Sequence, residues 1–333
     1  MELLLTGATG FVGRNLLLLL LTDTRWSRII LPVRDPEKLK AQLKSELGEE
    51  IDTVERLHIL KVSGEAWELP STIHPDLVIH AAGKLFGRER KEYFQTNVQG
   101  SLNLAAQLPE SARMIVLSSL AAGGPTPKGL DARAMQMVDA PVSYYGESKL
   151  AMEQALKEEL GSRLLILRPP MVLGPRDAAT IPLFQMAKCL VRVKPGFHPK
   201  YYSWIAVDDL CKALLVAASS PWTDAQSPLY LSSAESITDI QLLATAAQVI
   251  ASRGMTLRVP QAAIQFLSMI LDAVPAWREA VPSIGRDRVR EILPDRWICD
   301  GGDFEKNFNW QPLNDLTETL RSTAEFLKKS GAI

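Results

Sequence analysis

The sequence predicts an α/β fold, a doubly wound parallel sheet with a smaller, mainly helical C-terminal lobe. Two observations predict it. Short apolar runs alternate with longer helical patterns through the first half, the order produced by parallel strands and their crossover helices. The opening run "LLLTGATGFVGRNLLLLLL" passes directly from strand through glycine-rich turn to helix.

The elements follow in order. Apolar runs at 2–5, 28–33, 57–62, 76–80, 114–117 and 163–167 read as strands. Helical patterns lie between them at 13–22, 36–47, 88–107 and 144–160, and only the link between the third and fourth strands is short and loop-like. After Pro169 the regularity fades into "KPGFHPKYYSWIAVDD", rich in proline and aromatics. A helix at 208–219, a strand at 228–232 and mostly helical sequence then run to the end. With no long linker, the division expected is a nucleotide-binding domain over 1–168 plus about 203–231, and a substrate lobe over about 169–202 plus 232–333.

Composition narrows the function. The 333 residues are 47% hydrophobic and 23% charged, with a net charge of −1, so a chain with substantial cores is expected and nucleic acid is disfavoured as a partner. Cys189, Cys211 and Cys299 lie far apart, suggesting neither a disulfide framework nor a metal cluster, and a reducing cytoplasm fits. The chain opens on strand-like "MELLLTG" rather than a basic leader. The greasy stretch 261–277 carries Gln265, Ser268 and Asp272, which break any membrane span, so it reads as a core or lid helix that can also touch a lipid-like substrate.

The glycine-rich turn is the first candidate site. Gly7, Gly10 and Gly13 permit a tight turn, close approach of backbone to phosphate and close packing of helix on sheet. Thr9, Phe11 and Val12 lie at the helix N-terminus, whose unpaired N–H groups suit a pyrophosphate. The end of the second strand then selects the cofactor. It reads "ILPVRDPEKL", so Arg34 stands where an acid would hold the ribose of NAD, and a guanidinium suits the 2′-phosphate of NADP. NADP(H) is therefore expected ahead of NAD(H), although Asp35 can instead bind a ribose and Arg34 can be a solvated surface charge.

The second candidate site is "PVSYYGESKLAMEQ", where Tyr145 and Lys149, four residues apart, share a helix face. Such a pair elsewhere often does no more than cover apolar surface and place an ammonium in water. Reducing a carbonyl needs a proton donor for the oxygen while hydride reaches the carbon, and an ammonium beside a phenol makes it a better donor at neutral pH.

With "TGATGFVG", "VIHAAG", "TNVQGSLNL", "VLSSLAAGG", "YYGESK", "LRPPMVLGPRD" and "WIAVDDLCKAL" in this order, the chain resembles the extended short-chain dehydrogenase/reductase family over most of its length. The resemblance implies a seven-stranded Rossmann sheet, often a homodimer, and a catalytic trio of Ser119, Tyr145 and Lys149. Ser118 is one residue away, and its expected role is a bond to backbone. In that trio Ser119 holds the carbonyl oxygen, Tyr145 gives the proton, and Lys149 tunes Tyr145 and binds the nicotinamide ribose. By the same resemblance Ala81, Ala82 and Gly83 pass along the cofactor, Pro169 and Val172 approach the nicotinamide, and Asn97 ties the fourth-strand region together. Gly64-Glu65 replaces the Gly-Asp pair whose acid contacts adenine in the family.

Substrate contacts are expected from Ser119, Leu120, Tyr144, Met171 and Trp204. Met171 stands where sugar-nucleotide epimerases of the family carry an asparagine, and a thioether offers dispersion rather than a strong hydrogen bond. Phe184, Met186, Phe197, Tyr201 and Tyr202 either line an apolar pocket or form core. The expectation is an NADP-dependent oxidoreductase acting on a ketone, aldehyde or alcohol in an apolar small molecule, on the side of the family that includes hydroxysteroid dehydrogenases and dihydroflavonol reductases. A sugar-nucleotide epimerase or dehydratase with retained NAD, or a nucleotide-sensing or scaffold protein without catalysis, are the alternatives.

Overall fold

The structure is a computed structural model that describes residues 1–48, 54–222, 228–260 and 286–333. The stretch 261–277, including Phe266, Leu267, Met269 and Ile270, lies outside the described residues. In the first half the chain runs β1 (Glu2–Thr6), α1 (Phe11–Leu20), β2 (Arg28–Val33), α2 (Pro36–Leu47), β3 (Leu57–Lys61) and β4 (Leu77–His80). It continues through α3 (Arg90–Tyr93), α4 (Gly100–Ala105), β5 (Arg113–Leu117), α5 (Leu120–Gly123), α6 (Tyr144–Leu160) and β6 (Leu164–Arg168). Next come β7 (Met171–Leu173), α7 (Ile181–Lys188), β8 (Val191–Pro195), β9 (Tyr201–Tyr202), β10 (Trp204–Ala206), α8 (Val207–Ser219) and β11 (Leu229–Tyr230).

Seven of these strands form one sheet in the order β11-β6-β5-β4-β1-β2-β3, every pairing parallel. The order reverses beside β1, so the crevice between the C-terminal ends of β1 and β4 is a topological switch point, where ligands of such sheets bind. Successive strand residues point to opposite faces, and here both sets are apolar. Leu3, Leu5, Ile29, Leu31, Ile79 and Leu165 pack with Leu16 and Leu20 of α1 and Leu210 and Leu214 of α8. Leu4, Ile30, Val78, Met114 and Ile166 face the other way, against Met152 and Leu156 of α6.

The described remainder comprises β12 (Ile237–Thr238), α9 (Asp239–Val249), β13 (Met255–Val259), α10 (Arg286–Ile292), β14 (Arg296–Trp297), α11 (Gly302–Phe308) and α12 (Leu316–Lys329). Helices dominate, as expected, but three small sheets were not foreseen: β12-β9-β14, β10-β7 and a parallel ribbon of β13 and β8. A third core joins Leu173, Phe184, Trp204, Leu243, Ala246 and Leu320.

Most boundaries shift by a residue or so, and three differences are larger. Helix α1 starts at Phe11 rather than 13 because Gly10, extended at φ −89°, already serves as its N-cap. The pattern 88–107 is two α-helical pieces joined by a π-helical segment, Phe94–Gln99, a widening that often marks functional sites. The seventh strand shrinks to Leu229–Tyr230.

Below the sheet's C-terminal edge lies a buried ionic cluster. Arg168, 1% exposed, donates from Nε to Glu153 Oε1 (2.8 Å), and its terminal nitrogens reach both Asp139 oxygens (2.7 and 2.8 Å) and Tyr230 Oη (3.1 Å). Burial pushes the Glu153 carboxyl upward, and the Arg168 bonds oppose that shift. Arg168→Met strands two carboxylates, so urea denaturation should show a loss of about 3–5 kcal/mol. The double variant Arg168→Met/Glu153→Leu should recover part of that loss, whereas no recovery would show that the pair's charges are not its cost.

Candidate active site

The nucleotide end is built by close backbone approach. Gly7 follows β1 at φ +77°, and a Cβ there would lie 2.8 Å from the Ala81 carbonyl carbon and the Ala82 nitrogen. A Cβ on Gly13 would lie 2.2 Å from Gly7 O, so the first turn of α1 sits directly on the loop. Gly10 N donates to Gly7 O at 2.8 Å, closing the turn, and Gly10 brings no side chain to cap the helix. Thr9, Phe11 and Val12 are half-buried around this N-terminus. A cradle that any side chain would fill, with helix N–H groups at its mouth, fits the pyrophosphate of a dinucleotide.

Buried polar bonds fix the facing strand ends. Thr6 Oγ1 pairs with His80 Nδ1 (2.8 Å), His80 Nε2 with Ser101 Oγ (2.8 Å), and Ala82 N donates to Thr6 Oγ1 (3.1 Å). Burial, aided by the Lys149 charge, pushes His80 down to about 3, so this imidazole stays neutral. At the end of β2, Asp35 is the N-cap of α2, its Oδ1 accepting from Lys38 N at 2.9 Å. Arg34 beside it is exposed.

The candidate catalytic end lies where β5 and β6 meet α6. Gly146 lets α6 press against α5 so closely that a Cβ would stand 2.4 Å from Ala121 O. That contact brings the Tyr145 turn against the Ser119–Ala121 turn. Ser119 is the N-cap of α5, and its Oγ accepts from Ala121 N at 3.1 Å. Ser118 is buried and donates to the Glu153 carboxylate, a side-chain partner in place of the expected backbone one. The Tyr145 ring packs against Tyr93, with centroids 6.4 Å apart.

Lys149 is buried, and its Nζ donates to Leu117 O at 2.8 Å. Gly83 crosses directly above: a Cβ there would be 3.2 Å from both Lys149 Nζ and Asn97 Oδ1. Asn97, in the π-helical segment, accepts from Lys84 N (2.7 Å) and donates to Lys84 O (3.1 Å) and Ser148 Oγ (2.9 Å). The widened helix thus holds the Ala81–Gly83 path over Lys149. Burial pushes the Lys149 ammonium down to about 8, against a smaller upward pull from Glu153.

The expected substrate residues divide. Tyr144 and Met171 are half-buried beside this end, as are Pro170 and Val172, and β7 carries Met171 alongside Trp204 of β10. Pro169 O accepts from Leu120 N at 2.9 Å, tying the β6–β7 link to the Ser119 turn. Leu120 is buried with Tyr230, Trp297 and Cys299, and Trp204 is core, its Nε1 donating to Glu235 O at 3.1 Å. Phe184 is core as well, whereas Met186 and Phe197 are exposed.

Two residues escaped the sequence reading. Asp287 of α10 accepts from Tyr144 N with both oxygens (3.0 and 3.1 Å), and Glu291 accepts from Ser143 Oγ (2.6 Å). They pin the C-terminal lobe onto the first turn of α6, one residue from Tyr145. Burial pushes the Asp287 carboxyl up, against the pull of the Tyr144 bond. No local signal identifies them, because the partners are more than 140 positions apart.

A seven-stranded Rossmann sheet with this loop, and with tyrosine and lysine one turn apart at its C-terminal edge, defines an NAD(P)-dependent enzyme of the extended short-chain dehydrogenase/reductase type. The chain belongs to the NAD dependent epimerase/dehydratase family, whose model matches residues 3–230. A ceramide reductase of Caulobacter vibrioides is 27% identical over 302 residues, covering 88% of this chain and 84% of that protein. A UDP-glucose 4-epimerase of Vibrio cholerae is 28% identical over 347 residues, covering 97% and 94%. Among solved structures, UDP-glucuronic acid 4-epimerase from Bacillus cereus, with UDP-glucuronic acid and NAD, superimposes with TM-score 0.75 at 16% identity, covering 99% of this chain and 100% of that one. The UDP-glucose 4-epimerase of Thermotoga maritima gives 0.72 at 19% identity, covering 99% of each.

The folded value of Lys149, about 8, lies below its unfolded 10.5, so burying the ammonium costs stability below about 8 and the cost vanishes by 10.5. Lys149→Met should therefore be more stable than the parent at neutral pH, by about 2–3 kcal/mol. In urea denaturation the gain should shrink between 8 and 10.5. A variant less stable at neutral pH would show that the Leu117 bond outweighs the burial.

Proposed function

We propose that the protein is an NADP-dependent oxidoreductase that reduces a ketone or aldehyde in an apolar small molecule, or oxidises the matching alcohol. The observation that carries the reading is the meeting of the Ser119 turn, Tyr145 and buried Lys149 under the Gly83 crossing. Residues 1–168 with about 203–231 would hold the nucleotide, and the rest the substrate. A cytoplasmic homodimer completes the proposal.

A bound nicotinamide supplies or takes the hydride. The chain's own groups manage the oxygen and the proton. Ser119 Oγ already accepts from Ala121 N, so its hydrogen is left to donate to a carbonyl oxygen. Tyr145 gives that oxygen its proton, and the Lys149 charge one turn away favours the phenolate left behind. Lys149 also faces the ribose path along Ala81, Ala82 and Gly83. With Asp35 engaged as a helix cap, exposed Arg34 is the group left at the end of β2 to meet a 2′-phosphate. The name of the ceramide reductase relative supports a lipid-like substrate, as does the thioether of Met171 at the site's edge.

A second reading, a sugar-nucleotide epimerase with retained NAD, draws on the Vibrio cholerae relative that spans almost the whole chain. A titration with NADPH and NADH separates the two. The reductase reading expects an empty site on purification and tighter NADPH binding, with Arg34→Ala erasing roughly tenfold of that preference. Tightly retained NAD in the purified protein would favour the epimerase. Tyr145→Phe should stay folded and lower ketone reduction about 10²–10⁴-fold, and parental turnover in that variant would remove the proposed proton donor.

A further inference from the structure

In the ribbon of β8 and β13, β8 has its polarity reversed and β13 is exposed from Met255 to Arg258. In register, Val191 faces Met255 and Val193 faces Leu257, and all four are exposed, at 52%, 67%, 38% and 52%. Between them on β8, Arg192 and Lys194 point inward and are buried. Arg192 donates from Nε to Ala187 O (3.1 Å) and from its terminal nitrogen to Ser252 O (3.1 Å). Lys194 Nζ donates to Gly196 O (3.1 Å) and His198 O (2.8 Å) and pairs with Asp239 (3.0 Å). A slip of one residue would bury the valines and expose the charges. Satisfied inner charges hold the ribbon in the register that turns the β8 valines outward, and Leu190 and Phe197, just beyond the ends of β8, are exposed too.

We infer that this ribbon face docks on the surface of an anionic lipid bilayer. A contiguous apolar patch on a soluble lobe marks an interaction surface. Charge selects the partner. Lys188 and Arg253, just before β8 and β13 in the chain, are exposed, and no aspartate or glutamate occurs over 178–207 or 240–260. Basic residues beside an apolar face, with no acid among them, suit anionic headgroups above acyl chains. A second copy would set one basic rim against another and is disfavoured by the same count. No described helix is long and apolar enough to cross a membrane, so the contact is peripheral. The inference does not rest on the reductase reading, because the ribbon lies apart from the nucleotide cradle and its chemistry is the same for either substrate class.

The test is flotation of the full chain with vesicles of phosphatidylcholine alone and of phosphatidylcholine with an equal part of phosphatidylglycerol, at low and high salt. The parent should float with the anionic vesicles and lose that binding in high salt. Val193→Asp/Leu257→Asp should lower the partition coefficient roughly tenfold or more. Lys188→Glu/Arg253→Glu should lower it by about fivefold or more per residue. NADPH binding and the thermal transition of each variant report that the fold is intact, independently of turnover. Equal or no binding of the parent to the two vesicle types would overturn the inference, as would anionic binding that survives both pairs of substitutions. A concentration-dependent dimer that Val193→Asp/Leu257→Asp dissolves, without vesicle binding by the parent, would overturn it in favour of a second copy.

Discussion

The site is organised around one buried ammonium. Lys149 is 4% exposed and pushed down to about 8 by burial, so the fold holds a charge at a place where water cannot stabilise it. Everything near it follows from that constraint. The Leu117 carbonyl accepts its hydrogen bond, Glu153 one turn on raises its affinity for the proton, and a Cβ on Gly83 would crowd its Nζ at 3.2 Å. A cation costly to bury helps most in the state where a neighbouring phenol has given up its proton.

Rigidity around that charge comes from polar bonds rather than from the apolar core. Arg168 joins β6 to α6 through Glu153 and to the loop before α6 through Asp139, and Ser118 adds the end of β5. From above, Asp287 and Glu291 hold the first turn of α6 to the C-terminal lobe. Tyr145, in the first turn of this helix, is therefore held on a turn fixed from both sides, as its proposed proton transfer over hydrogen-bond distance requires.

Much of this was legible in the sequence because local chemistry determined it. The second helix was read with its observed ends, 36–47, since Asp35 and Pro36 start it and Gly48 stops it. The helix 144–160 is likewise framed by Ser143 and Gly161. The glycine spacing of the loop follows from clashes that any Cβ would make. What escaped depended on distant partners. The β8–β13 ribbon pairs segments about 60 residues apart and faces its valines outward, against the usual polarity of a strand. Asp287 reads locally as one more charge in "GRDRVRE", and only the fold brings it to Tyr144. The aromatic cluster proved divided, with Trp204 and Phe184 in core and Phe197 exposed, because composition does not tell a pocket wall from packing.

The nucleotide cradle and the Ser119, Tyr145 and Lys149 cluster belong to an NAD(P)-dependent enzyme of the extended short-chain dehydrogenase/reductase type, for which we propose an exchanged cofactor and a lipid-like carbonyl. The central claim is that hydride passes between an exchangeable cofactor and the substrate for good, rather than out and back on a retained one. The most direct measurement supplies NADPH deuterated at its transferable position, together with a long-chain ketone, and follows the product by mass spectrometry. The account predicts one deuterium in the alcohol and matching consumption of NADPH. Turnover of a sugar nucleotide with no deuterium gained and no added cofactor consumed would contradict it.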